Sequence, residues 1–208
     1  MENDNQKDIE LKTYNDEEIQ NILKEYISNE SCNVVFTVSD KNLDMAQEDE
    51  EFKECLLKAD LLVSSANLKS EYGSENSEAG IDVEIINKIT DAEEVDVLSV
   101  MLLTDEAEFA EKFDVKIEET WKDNEYIEYV GSYVIDEDRD DDLIINEING
   151  SIPDVLLCMC ESPVQEKWII ENKSKISVKL IIALGGEKEE LMQKKESGIK
   201  FLLRMFGR

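Results

Sequence analysis

Six short stretches of the chain are largely apolar, and each is separated from the next by a longer segment of mixed polarity. Strands that are buried on both faces have this composition, because neither side of the strand meets water. In the segments between them, apolar residues recur every three or four positions, as they do in amphipathic helices. The alternation predicts an α/β fold with a mainly parallel sheet of about six strands flanked by helices. The predicted strands are NVVFTV (33–38), LLVSS (61–65), DVLSVMLL (96–103), YIEYV (126–130), DVLLCMC (154–160) and VKLIIAL (178–184).

The helical segments and the polar ends of the chain define the expected domain organisation. We expect one Rossmann-like domain over 15–186, preceded by a polar, loosely held N-terminus over 1–14 and followed by a shortened helical appendage over 187–208. Within the domain, the Ser-, Glu- and Gly-rich stretch 69–80 is predicted to be a loop. Helices are predicted after the cap at Asn15–Asp16 and over 40–58, 82–89, 105–121, 138–149 and 163–173.

The charge and the residues that are missing exclude several classes of function. The chain has 51 acidic and 22 basic residues, a net charge of -29, and no histidine. Such a surface repels phosphate backbones, so we expect no nucleic-acid partner. Without histidine, Ser-His and Cys-His nucleophiles are excluded. The first ten residues lack the pattern of a signal peptide, and no apolar run approaches the roughly 20 residues of a membrane span, so we expect a cytoplasmic protein.

Neither the cysteines nor one acidic segment has the complete pattern of a metal site. Cys32, Cys55, Cys158 and Cys160 lack the spacing of a zinc site, and we interpret them as reduced thiols of the core. The segment 136–147 has acids where a calcium loop has them, but Asp141 stands where that loop needs glycine. A helix that begins with acidic residues explains the same pattern. We favour the helix start, leave calcium open as the alternative, and expect no cofactor.

In parallel α/β sheets, ligands bind at the carboxyl ends of the strands. The two prolines of the chain, Pro153 and Pro163, bracket one such strand, and Pro163 is expected in the first turn of the following helix, where its missing N–H costs nothing. The candidate site is therefore assembled from the strand ends at 37–39, 63–65, 103–104, 130–131, 160–165 and 184–186.

Five pieces of the chain, in order, resemble the WecG/TagA/CpsF glycosyltransferases of bacterial cell-surface polysaccharide synthesis. The segment after Cys32 resembles the family's T-x-N opening and its A-D-L entry to the second strand. The segment 148–172 is similar to the family's most distinctive block, a strand followed by P-K-Q-E and a helix. The pieces are FTVSDKNLDMAQEDEEFKECLLKADLLVSS, AGIDV, INGSIPDVLLCMCESPVQEKWIIEN, IIALGG and GIKFLLRM.

The resemblance implies an activity and a set of site residues. Family members transfer an amino sugar, typically N-acetylmannosamine, from UDP to a polyprenyl-diphosphate-linked sugar, with inversion and with a carboxylate as base. Carried over onto this chain, the nucleotide- and substrate-binding positions are Thr37, Ser39, Gly80, Asp82, Pro163, Gln165, Glu166, Gly185 and Gly186. Each of these groups also has a structural alternative. Thr37 would simply end a strand, and Gln165 and Glu166 would belong to a helix amino terminus. The two glycines would form an ordinary turn.

The chain departs from the family pattern at several positions that matter for the chemistry. Ser65 takes the place of the family's catalytic Asp, and without histidine a serine has no partner to make it a base. Ser77 takes the place of an Arg suited to a diphosphate. Ser39 replaces the Asn of the opening motif. Glycines near the nucleotide are replaced by Thr104 and by the Met-Cys-Glu run 159–161, where a glutamate would repel pyrophosphate.

Two hypotheses follow from these departures. The favoured one is a family member with weak or no UDP-sugar transfer, acting as a binding or scaffolding protein. The alternative is an active transferase, with Asp82 or Glu166 as the base. The basic and apolar segment 187–208 is expected either to contact the inner face of the membrane weakly or to dock on the domain. Association with further copies of the chain or with an active relative is the remaining partner hypothesis.

Overall fold

A single parallel sheet of six strands organises the part of the chain that the structure describes. This computed structural model describes residues 9, 11, 12, 14, 16–64, 97–122, 124–135 and 140–185. The strand order is β2-β1-β6-β5-β3-β4, and every pair of neighbours is parallel. The expected α/β fold with a parallel sheet is therefore confirmed. The strands are β1 (Asn33–Val38), β2 (Leu61–Ser64), β3 (Leu98–Thr104), β4 (Ile127–Val134), β5 (Val155–Met159) and β6 (Leu180–Ala183).

Helices cover both faces of the sheet. One apolar layer joins the first face to α1 and α4, and a second joins the other face to α2, α3, α5 and α6. The central strands β1, β5 and β6 are buried at every position, which is why their sequences are apolar runs rather than alternating ones. The helices are α1 (Asp16–Ser28), α2 (Asp40–Glu48), α3 (Glu50–Leu57), α4 (Ala107–Trp121), α5 (Asp141–Ser151) and α6 (Val164–Asn172).

The single helix expected over 40–58 is wrong, because the structure breaks it into two. Asp49 lies between α2 and α3 in an extended conformation, with φ -117°. Its N–H donates to the carbonyl of Met45, and its side chain accepts from the N–H of Phe52 at 3.0 Å. One aspartate thus ends the first helix and caps the second. Both segments keep their apolar positions on the same face of the sheet, so helical spacing alone could not reveal the break.

The expected end of β4 at 130–131 is also wrong. The strand continues to Val134, because a bulge at Val130 lets it resume its pairing with β3. Gly131 has φ +115°, a conformation that other residues rarely adopt. The pair Val130–Gly131 therefore lies inside the strand and is not at the carboxyl edge. The predicted helix starts shift as well, with Asp105, Asp140 and Pro163 preceding α4, α5 and α6.

Aspartates complete the hydrogen bonding at the amino edge of the sheet. Asp154 accepts from the N–H of Ser99 at 3.0 Å and from its hydroxyl at 2.9 Å, and it pairs with Lys179 at 2.8 Å. Asp60 accepts from the N–H of Val34 in the same way. These bonds satisfy strand N–H groups that would otherwise lack partners at the edge.

Replacing Asp154 by Asn should lower the free energy of unfolding at neutral pH by about 1–3 kcal/mol. Burial acts to raise the pKa of Asp154, but the bonds from Lys179 and Ser99 outweigh it and lower that pKa. A carboxyl with a lowered pKa stabilises the fold above its unfolded pKa of about 3.9 and loses that contribution as the pH falls. The difference in free energy of unfolding between wild type and Asp154→Asn, measured with urea, should therefore be smaller at pH 3 than at pH 7. Glu147→Gln, an exposed charge on α5, is the control, and an equal effect of both variants would contradict the prediction.

Candidate functional site

The polar residues at the carboxyl ends of β1, β3, β5 and β6 form the candidate site. The helix after β3 packs on one face of the sheet, and the helix after the neighbouring β5 packs on the other. Ligands of open α/β sheets bind in the crevice that such a reversal creates. The structure thus places the loop 160–163, already expected at a strand end, beside this crevice.

Gln165 and Glu166 point into the protein, where they hold the loop that follows β5. The N–H of Cys160 donates to Oε1 of Gln165 at 3.3 Å, and Nε2 of Gln165 donates to Oε1 of Glu166 at 2.9 Å. The hydroxyl of Ser162 donates to the same Glu166 oxygen at 2.6 Å. Pro163, joined to Ser162 by a cis peptide bond, lies just before the helix. The two side chains therefore have a structural role, whatever else they contact.

Glu166 has an unusual electrostatic environment. Its side chain is only 1% exposed, and Oε2 is buried without a hydrogen-bond partner. Burial raises the pKa of Glu166, although the bonds from Ser162 and Gln165 act in the opposite direction. An unpaired buried carboxylate oxygen costs free energy, so this position is held at the expense of stability.

Gly185 is brought next to Gln165 at the end of β6. Its φ of +74° lies in the left-handed region, which favours glycine. A Cβ added at Gly185 would lie 3.9 Å from Nε2 of Gln165. The structure thus unites Pro163, Gln165, Glu166 and Gly185 around one loop, as the sequence predicts for a common strand edge.

Thr37 and Ser39 use their hydroxyls within the fold. Thr37 is buried at the end of β1 and donates to the carbonyl of Ala183 in β6 at 3.0 Å. Ser39 is the cap of α2, and its side chain accepts from the N–H of Asn42 while the Asn42 side chain accepts from the N–H of Ser39. The neighbouring Asp40 has a buried Oδ1 without a hydrogen-bond partner. The structural alternative for Thr37, a strand end, thus has direct support, and the hydroxyl of Ser39 serves as a helix cap.

Asp105 is the residue of this edge that the sequence interpretation missed. Its Oδ2 accepts from the backbone N–H of Glu161 at 3.0 Å, which ties the loop after β3 to the loop after β5. Beside it, the buried Thr104 donates to the carbonyl of Met159 at 3.1 Å. The only signal in the sequence is an acid directly after a strand, which reads equally well as the start of a helix.

Acids outnumber lysines among the described residues of this edge. Neither α4 nor α6 has a side-chain cap, so the positive ends of both helix dipoles face the crevice without such a partner. On the described loops and first turns here, six charged side chains are acids and two are lysines, and Lys167 is already paired with Asp49 and Glu51. The acids are Asp40, Asp105, Glu106, Glu108, Glu161 and Glu166, and the lysines are Lys41 and Lys167. All three arginines of the chain, Arg139, Arg204 and Arg208, lie outside the described residues.

Several sequence-predicted positions lie outside the described residues: Ser65, Ser77, Gly80, Asp82, Gly186, the 69–80 loop, the 82–89 helix and the 187–208 segment.

Of the acidic segment 136–147, residues 140–147 form the capped start of α5, with Asp140 accepting from the N–H of Asp142. Over the described ranges, no cluster of three or more potential metal ligands occurs. The cysteines are free, and three of the four are buried. Nor does any described helix combine the length and apolarity needed to cross a bilayer.

Comparison with known proteins gives one family match. The model of the family described as "Glycosyl transferase WecG/TagA/CpsF family" matches residues 6–187 of the 208. No individual curated protein matches the chain. The matched region includes all six strands and the whole of the candidate edge.

Replacing Glu166 by Gln should stabilise the protein at pH 7–8 and have a smaller effect at pH 4. The raised pKa means that the folded state holds the proton more tightly than the unfolded state. Wild-type stability therefore falls as the pH rises from the unfolded pKa of about 4.3 through the folded pKa. Gln removes the buried charge, and a gain on the order of 1–3 kcal/mol is expected from urea unfolding at neutral pH.

The matched control is Glu161→Gln, which changes an exposed glutamate of the same loop. At pH 7–8 it should change the free energy of unfolding by less than Glu166→Gln does, because its side chain is exposed. A Glu166→Gln difference that is the same at pH 4 and pH 8 would show that the buried carboxyl does not titrate abnormally.

Proposed function

The chain belongs to the WecG/TagA/CpsF glycosyltransferase family, and we propose that it is a member with weak or no transfer of sugar from UDP. Its place is in the synthesis of bacterial cell-surface polysaccharide, where the fold serves binding or scaffolding more than turnover. An active relative is the partner that such a role would use. The segment 187–208 would then add a weak contact with the inner face of the membrane.

Three substitutions support loss of activity, because each removes a different part of one reaction. Ser65 lies where the family has its base, Ser77 where it has an Arg for the diphosphate, and Glu161 where it has a glycine. A base typically contributes about a hundredfold to ten-thousandfold to a rate. Arg is the side chain best suited to bind a phosphate through two parallel hydrogen bonds. Losing one could be compensated, but the loss of all three affects proton transfer and nucleotide binding together.

The observation that carries the proposal is the Asp105–Glu161 hydrogen bond. The resemblance implies that the backbone around 159–161 approaches the nucleotide, and a phosphate bound there would need free N–H groups. The N–H of Glu161 already donates to a carboxylate 3.0 Å away. Phosphate would have to replace this carboxylate and then lie among further acids, which is electrostatically unfavourable.

The alternative is an active transferase that uses another carboxylate as base, and one observation favours it. Burial raises the pKa of Glu166, as is common for catalytic acids and bases. Glu166 is, however, only 1% exposed, and one of its oxygens already accepts two hydrogen bonds. An acceptor hydroxyl could reach it only after the loop had moved. Asp82, the other candidate, lies outside the described residues.

UDP should bind the wild-type protein with a dissociation constant weaker than about 1 mM, measured by isothermal titration calorimetry. Uridine is the matched control, because it keeps the base and the ribose but lacks the phosphates. If acids repel the diphosphate, uridine should bind at least as tightly as UDP. Micromolar binding of UDP, with uridine much weaker, would instead support the active transferase.

Replacing Ser65 by Asp should by itself restore little or no transfer from UDP-N-acetylmannosamine to a short polyprenyl-diphosphate-linked sugar. It supplies a base without improving nucleotide binding. Adding Ser77→Arg and Glu161→Gly should be required before UDP release is detected.

The same triple variant with Asn instead of Asp at Ser65 is the control, since Asn cannot accept the proton. It should bind UDP like the Asp version but release UDP at least about a hundredfold more slowly during transfer. Wild-type turnover on the order of one per second would overturn the proposal of weak activity.

A further inference from the structure

We propose that Asp105 is a specificity-determining residue that acts as an internal anion, occupying the phosphate-accepting position of the crevice and excluding anionic ligands. The proposal starts from the hydrogen bond between its Oδ2 and the N–H of Glu161. It rests on the proposed function in one respect, namely that this crevice is the part of the site that faces the nucleotide.

The position of the bond is the first argument. Asp105 is the first residue after β3, and Glu161 is the second residue after β5. These neighbouring strands lead to helices on opposite faces of the sheet, which is where a ligand-binding crevice opens. The carboxylate therefore joins the two loops that follow these neighbouring strands.

The surroundings of the bond are those of an anion site. Helix α4 begins two residues after Asp105, helix α6 begins three residues after Glu161, and neither helix has a side-chain cap. Helix amino termini and free backbone N–H groups together attract anions. Here the anion is supplied by the chain itself, so an external phosphate must compete with a tethered carboxylate.

A second observation in the same loop points the same way. Oε2 of Glu166 is buried and has no donor, and Glu166 is linked through Gln165 to the N–H of Cys160, next to Glu161. Side-chain acceptors therefore already occupy the N–H groups of Cys160 and Glu161, while a buried acceptor is left unsatisfied. A phosphate-binding loop has the opposite character, because it presents free donors.

The contact can be broken without disturbing the core, because both Asp105 and Glu161 are exposed. Asp105→Ala removes the acceptor and the charge, so it leaves the N–H of Glu161 available to a ligand. Asp105→Asn keeps an acceptor but removes the charge. Glu106→Gln makes the same change of charge at the next residue and leaves the acceptor of the Glu161 N–H, Asp105, in place.

The experiment follows the amide resonance of Glu161 in two-dimensional NMR spectra of the full chain, with inorganic pyrophosphate and UDP added in turn. Without ligand, the Glu161 amide should shift and exchange faster with solvent in Asp105→Ala than in wild type. Pyrophosphate should then bind at least about fivefold more tightly to Asp105→Ala than to wild type, the gain expected from removing one nearby like charge. The pyrophosphate affinity of Asp105→Asn should lie between those of wild type and Asp105→Ala. Glu106→Gln should gain less affinity than either variant of Asp105.

Three results would overturn the proposal: equal pyrophosphate affinity of wild type and Asp105→Ala, no response of the Glu161 amide to pyrophosphate in any variant, or an equal gain in Glu106→Gln. The proposed function is tested separately by UDP. If pyrophosphate shifts the Glu161 amide in Asp105→Ala but UDP does not, the internal anion is supported while the nucleotide-facing role of the crevice is rejected. Well-dispersed spectra that match wild type away from the loop show that each variant is folded.

Discussion

Burial of one parallel sheet on both faces is the constraint from which the rest of this structure follows. Strands β1, β5 and β6 meet no water along their length, so polar side chains can appear only at their two ends. At the amino edge, Asp60 and Asp154 complete the hydrogen bonding of strand N–H groups. The carboxyl edge holds the buried polar side chains Thr37, Thr104, Gln165 and Glu166, and that is why a function can be sought there.

The sequence predicts the sheet well because burial on both faces leaves a direct mark on composition. All six strands occur where apolar runs predict them, with bounds that differ by a few residues. The features that escaped prediction depend on single contacts. Asp49 ends one helix and starts another without interrupting the apolar face, and the bulge at Val130 is set by pairing with β3. Neither leaves a periodic signal.

The candidate site shows the same limit. Position relative to a strand end correctly brings Gln165, Glu166 and Gly185 together, but it does not say that Gln165 and Glu166 turn inward. The Asp105–Glu161 bond joins residues 56 positions apart, and only the order of the strands makes them neighbours. Family resemblance identifies which residues have changed. The structure adds that the carboxylate of Asp105 accepts from a backbone N–H at the same edge. This contact and the changed residues both make the edge less favourable for a bound anion.

The bulge in β4 has a consequence beyond the domain itself. Strand β4 is the last in the sheet order of the described residues, and a long regular outer strand can recruit a strand from another molecule. The extra residue Val130 and the left-handed Gly131 break the regular row of backbone groups that such recruitment requires. With this interruption, β4 is a poorer template for edge-to-edge pairing than an unbroken outer strand of the same length would be.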